Sequence, residues 1–263
     1  MLGKVLKHEF KNSYFDITIV NGSLILAGVL NAMLIRTRLS LLYSLSSTAL
    51  AGLIIASFVI LLMNIVNSFN KKMFSSEGYL TFTLPVSVDN LLIGKLIVNM
   101  VWYLFTTFAI ALSISLFIYS AISAGFPELL ELLSKIFVID ENFILILMIS
   151  IMRMAIELLS FLILVLFTLA ILNAGKIRKN KKLAGFGIFF GLSIAVNWIK
   201  YLLPVIPYTL AYDGNFILEH YQEMEGMQIT SLLDFNDLFW NVAVIVGMYF
   251  WSRTLIYKHL ELE

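Results

Sequence analysis

The chain has 263 residues, 60% hydrophobic and 13% charged, with a formal charge of +1 and a mean hydropathy of +0.92. Soluble domains carry about 45–50% apolar and about 25% charged residues, so a fold around one aqueous core is excluded. The near-neutral charge argues against nucleic acid as a partner, and the lack of cysteine removes disulfides, thiolate metal sites and thiol nucleophiles.

The opening stretch MLGKVLKHEFK keeps charges through Lys11, and no small-residue cleavage site follows, so it reads as a retained segment rather than a signal peptide. On a helical wheel Leu2, Val5, Leu6 and Phe10 share one side while Lys4, Lys7 and Lys11 take the other. That pattern predicts an amphipathic interfacial helix over 1–15, its lysines on lipid headgroups or serving only as a topology signal. Glu9 falls on the apolar side, where it suits a protein contact better than lipid.

Uncharged runs then predict six transmembrane helices, over about 17–35, 45–68, 96–124, 143–173, 183–203 and 236–256. The expected fold is an all-α integral membrane protein, a single transmembrane domain over 1–263 with both termini cytoplasmic. Thirteen of the 18 Lys and Arg residues then lie on inner segments, four lie outside, and Arg153 sits within a span. That bias follows the positive-inside rule, although Arg36 and Arg38 run against it. Extracellular loops are expected over 125–142 and 208–235, both acidic, and a cytoplasmic loop over 70–95.

Chemistry is sparse along these spans. Gly94-Lys95 and Gly175-Lys176 lack the partner glycine and following hydroxyl of a phosphate-binding loop. His8, His220 and His259 lie outside the expected spans, so a zinc hydrolase at membrane depth has no ligands and no metal site is expected. Arg153 and Glu157 are four residues apart on one helix face. They can neutralise each other, line a path, or lock two helices. Asn64, Asn67, Asn99, Asn173 and Asn197 read as interhelical hydrogen-bonding residues.

The loop NKKMFSSEGYLTFTLPVSVDNLLIGK, residues 70–95, exposes Met73, Phe74, Tyr79, Leu80, Phe82 and Leu84 on the expected water side. Gly78 permits a tight turn and Pro85 stops a helix begun before it. An apolar patch facing water points to a protein partner, with a tuck against the membrane as the plainer reading.

SSEGYLTFTLPVSVDNLLIGKLI resembles the signature loop of permease subunits of type-2 ABC exporters, the ABC2-membrane family, in its compact six-span bacterial form. LGKVLKHEFKNSYF resembles the amphipathic N-terminal helix of that group. The two motifs cover about forty residues, and the six-span layout fits over the whole length. Val88-Asp89-Asn90 departs from the family, whose members tend to carry a basic residue there.

The resemblance implies export across a bacterial cytoplasmic membrane by alternating access, with ATP and Mg bound by a separate ATPase subunit in two copies. This chain would then be no enzyme and hold no cofactor, and it would pair with a second permease, identical or a sister chain. Phe74, Glu77, Gly78, Tyr79, Leu80 and Phe82 would seat the coupling helix in the ATPase. Lys176, Arg178 and Lys179 would make a second cytoplasmic contact or bind headgroups, and Glu9 and Phe10 would brace the same side. Pro204, Pro207 and the segment near Asn215 would correspond to re-entrant helices before the last span. The residues also admit an intramembrane enzyme, a protease or acyltransferase using Arg153 and Glu157, or a non-transporting anchor or sensor on the same scaffold.

The expected topology has a direct test, because the chain has no cysteine of its own. An impermeant maleimide on intact cells should label Ser134→Cys and should label Ser76→Cys only after lysis. Labelling of Ser76→Cys in intact cells overturns the orientation.

Overall fold

The computed structural model describes residues 2–35, 40–74, 87–123, 142–174, 180–212, 214–220 and 230–259. Six helices hold most of them: α1 (Leu2–Leu34), α2 (Ser40–Phe74), α3 (Val88–Ser123), α4 (Phe143–Ala174), α5 (Lys181–Leu202) and α6 (Phe235–His259). Each contains a stretch long and apolar enough to cross a membrane. The chain is built as a multi-pass membrane protein. Between α5 and α6 lie three strands, β1 (Tyr208–Tyr212), β2 (Phe216–His220) and β3 (Thr230–Asp234), which correct the all-α expectation.

The chain divides into two compact units, one of Met1–Ser68 with Asn90–Ile139 and one of Phe69–Asp89 with Asp140–Glu263.

In the first unit α1 is one uninterrupted helix, so no break separates an interfacial piece over 1–15 from a span over 17–35. Its buried residues are Glu9, Ser13, Ile17, Asn21, Leu24, Gly28 and Asn31, in steps of three and four. Most are polar or small, whereas Tyr14, Phe15, Leu26, Leu30 and Met33 are exposed. Such a helix is inside-out by aqueous standards. It suits lipid, where tails are as apolar as leucine and helices associate through close packing and hydrogen bonds.

The pairings fix how the helices run. Glu9 meets Lys95, Ser13 meets Trp102 and Asn21 meets Thr106, at sequence separations of 86, 89 and 85. A nearly constant offset means that α1 and α3 lie parallel and in register. At Gly28 the backbones come close: a Cβ there would lie 2.9 Å from the Cα of Ser113. Further along, Ser46 of α2 donates to Asn31 Oδ1 at 2.8 Å, and Asn31 Nδ2 donates back to the Ser46 carbonyl at 2.9 Å. Ile17, Val98 and Trp102 form the apolar centre, with Leu6 and Phe10 packed on it.

In the second unit α4 is the axis. Every residue from Leu162 to Ala170 is buried, so this helix is enclosed on all sides rather than along a stripe. It packs against α5 and α6. Aromatic pairs mark both contacts: Phe161 with Phe189 at 5.9 Å and Phe167 with Trp251 at 5.3 Å between ring centres.

The strands form an antiparallel sheet in the order β2-β1-β3. Tyr212 faces Phe216 across the first turn, where Gly214 has φ 75°, a left-handed value that suits glycine. Thr209 and Ala211 on β1 are buried while Tyr208 is exposed. The segment expected to re-enter as helices is therefore extended. Pro204 and Pro207 supply no backbone N–H, and the β-branched and aromatic residues beyond them pair as strands.

The contact at Gly28 should resist even one added methyl group. Gly28→Ala should lower stability by about 1–3 kcal/mol through overpacking. Gly22→Ala, whose Cβ meets nothing within 4 Å, should be neutral or stabilising by up to about 1 kcal/mol. Thermal melting in detergent measures both.

Candidate functional site

The helices that bracket the resemblance-bearing loop reach further than the sequence suggests. α2 continues to Phe74 and α3 begins at Val88, so the connection shrinks from 70–95 to 75–87. Phe74 closes α2, while Glu77, Gly78, Tyr79, Leu80 and Phe82 lie outside the described residues, as do Lys176, Arg178 and Lys179. What the structure supplies is the loop's footing.

Lys95 corrects one expectation outright. Instead of a lysine in a cytoplasmic loop, it lies within α3 and is 0% exposed. Its Nζ donates to Glu9 Oε1 at 2.8 Å and to the Ser68 carbonyl at 2.9 Å. Glu9, 8% exposed, thus faces protein, as its place on the apolar side of the wheel suggests. The three residues sit at similar depth: about 10 Å from the start of α1, about 9 Å from the end of α2 and about 10 Å from the start of α3, at 1.5 Å per residue.

Polar contacts continue inward from this point. Asn99 Nδ2 donates to the Lys95 carbonyl at 2.9 Å, and Asn64 Nδ2 to Asn99 Oδ1 at 3.4 Å. One turn on, Trp102 Nε1 donates to Ser13 Oγ at 2.8 Å, and Phe10 stands edge-on to the Trp102 ring at 5.7 Å. The expected interhelical bonding holds for Asn64 and Asn99. Asn173 and Asn197 instead bond to carbonyls of their own helices, those of Leu169 and Ser193.

Within the second unit Asp89 accepts from Arg253 at 2.9 Å and from the Tyr249 hydroxyl at 3.1 Å. Asp89 is therefore matched from α6. It also sits in the first turn of α3, where a carboxylate suits the helix dipole.

At the other end of α6, Asp234 Oδ1 accepts from the backbone N–H groups of Asn236 and Asp237 at 2.8 and 3.2 Å, an N-cap. Lys200 Nζ donates to Asp237 Oδ1 at 2.6 Å and to Asn241 Oδ1 at 3.0 Å. Two carbonyls around the end of α5 are satisfied as well: Asn236 Nδ2 donates to that of Lys200 and Trp240 Nε1 to that of Leu203, the residue after the helix, both at 3.0 Å. Lys200, expected near the outer end of its span, is a structural tie between α5 and α6.

Arg153 and Glu157 pair with each other, Nε donating to Oε1 at 2.8 Å, with side chains 41% and 47% exposed. The guanidinium also comes within 3.5 Å of the Leu232 carbonyl. A shallow pocket beside them is lined by Ile156, Leu233, Asp234, Asp237, Leu238 and Asn241. These linings offer no hydroxyl or imidazole nucleophile, and their carboxylates are already engaged in capping or ion pairing. Among the described residues no three His, Asp or Glu side chains gather to hold a metal.

Compared with family models, with curated proteins and with solved structures, the chain finds no match in any of the three.

The buried pair should dominate stability. Lys95→Ala leaves Glu9 charged and enclosed, and breaking a buried pair in this way costs about 3–5 kcal/mol. Asn64→Ala should cost about 1 kcal/mol or less, as for other interhelical side-chain bonds. Denaturation in mixed micelles, followed by tryptophan fluorescence, measures the two.

Proposed function

We propose that the chain is the transmembrane permease subunit of a type-2 ATP-binding cassette exporter. The observation that carries this reading is EGYLTFTLPVS set between two long apolar helices, α2 and α3, in a chain with six helices able to span. No buried function of its own explains an apolar, threonine-interleaved segment flanked by Lys71, Lys72 and Asp89. Docking to a protein groove does.

In this reading both termini and the 75–87 connection face the cytoplasm of a bacterial cell. Two copies of an ATPase subunit bind ATP and Mg, and the permease pairs with an identical or sister chain. Phe74, Tyr79, Leu80 and Phe82 fill an apolar groove on the ATPase, Glu77 gives the contact its charge and Gly78 its turn. Lys176, Arg178 and Lys179 add a weaker contact. The work done by this chain is mechanical. Nucleotide shifts the equilibrium between inward- and outward-open bundles only as far as it binds the two states differently, and the loop carries that difference into α2 and α3.

Burying aromatic anchors at about 1–2 kcal/mol each sets the size of the test. Tyr79→Asp combined with Phe82→Asp should weaken capture of the ATPase subunit by about 30- to 1,000-fold. The readout is affinity purification of the tagged chain from its own host cells, with ATP hydrolysis measured in the eluate. Capture at the wild-type ratio by the double variant removes the docking role. Absence of any ATP-binding subunit from the wild-type eluate removes the transporter reading.

A further inference from the structure

We infer that Glu9, Lys95 and Ser68 form a joint that holds the first turns of α1 rigidly to both helices from which the 75–87 connection springs. Its transport consequence, that a movement of the loop is passed to α1 together with α2 and α3, rests on the reading above. The joint itself does not.

Three observations carry it. Lys95 is 0% exposed and Glu9 8%, so neither charge can turn to headgroups or water, and a lysine gives up much of its side-chain freedom when fixed. Lys95 bonds two different helices, Glu9 of α1 at 2.8 Å and the Ser68 carbonyl of α2 at 2.9 Å, from its own place on α3. A carboxylate alone would neutralise the ammonium; the second bond adds a distance constraint between α2 and α3. Finally, Trp102 repeats the tie deeper, one turn along α1 and two along α3, with Nε1 on Ser13 of α1, so α1 is held at two levels and cannot pivot about either.

A pair whose only task is to cancel charge is replaceable by apolar residues of similar volume, and buried ion pairs often are. A joint is not, because apolar replacements keep the helices packed without fixing the spacing between them. Exchanging the charges separates the cases further. Glu9→Lys with Lys95→Glu restores an ion pair, but a carboxylate at 95 has no proton to donate to the Ser68 carbonyl.

The cysteine-free chain allows spin labels at Asn12→Cys on α1 and Asn67→Cys on α2, both exposed, in nanodiscs and diluted with unlabelled chain. With Glu9 and Lys95 intact, one narrow distance is expected. Glu9→Leu with Lys95→Met should regain wild-type melting, unlike Lys95→Met alone, yet show a distribution at least twofold broader. The charge-exchanged variant should stay broad. A distribution as narrow as wild type in the apolar double variant reduces the pair to charge cancellation and overturns the joint. Should none of the variants fold, hydrogen exchange of the unaltered chain decides: amides over Leu2–Asp16 should exchange as slowly as those flanking Lys95, and fast exchange there overturns the joint. ATPase capture by the wild type is scored separately. Its failure removes the transporter reading and leaves the distances as they are.

Discussion

A lysine closed off from lipid and water alike is the constraint from which the first unit follows. Within hydrocarbon there is no solvent to complete a donor or acceptor, so Lys95 has to find its oxygens inside the protein. It finds them on two other helices, Glu9 and the Ser68 carbonyl. Meeting Glu9 requires that the N-terminal residues be helical and continuous with the first span. It also sets α1 parallel to α3, since the next pairs fall at almost the same sequence separation. The unbroken α1 and the start of α3 ahead of Lys95 go with that requirement.

The two units meet the demands of lipid differently. In the first, polar side chains run along the helix contacts from Glu9 to Asn31, with Gly28 admitting Ser113 where no side chain fits. The second buries a largely apolar segment of α4, whose Thr168 bonds only to its own helix, and joins helices through polar groups near their ends. There Lys200, Asp237 and Asn241 tie α5 to α6, and Asp89 receives Arg253 and Tyr249. Polar contacts along the whole length favour fixed register, because sliding one helix breaks every bond at once. An apolar centre with polar ends leaves the middle without directional bonds. In the proposed exporter the first unit suits transmission from the loop, and the second suits rearrangement.

Much of this was legible in the sequence, and the misses share a cause. Span number and approximate bounds came from uncharged runs, since hydrophobic length responds to bilayer thickness alone. The same rule hid Lys95: starting the third span at 96 assigns a lysine to the loop, although LLIGKLIVNM is apolar on both sides of it. The signal was present as two unexplained charges, Glu9 on an apolar face and Lys95 in an apolar run, of opposite sign. Asp213-Gly214 between alternating segments is likewise a hairpin signal, masked by reading 208–235 as acidic loop. Arg153 and Glu157 drew notice because they interrupt a span, and their spacing of four gave the self-pairing correctly. Spacing along one helix is readable from sequence; partners on different helices require the register, which packing decides.

The choice between a machine and an enzyme turns on where the charges point. An active site needs groups left reactive by their surroundings, aimed at a common point with room for substrate. Here eight ionisable residues of the described helices are matched in pairs: Lys95 with Glu9, Lys200 with Asp237, Arg253 with Asp89, Arg153 with Glu157. Each pair joins helices or relieves a single helix of net charge. In the proposed exporter these paired charges hold helices in place, and the sequence between α2 and α3 is left to carry the docking.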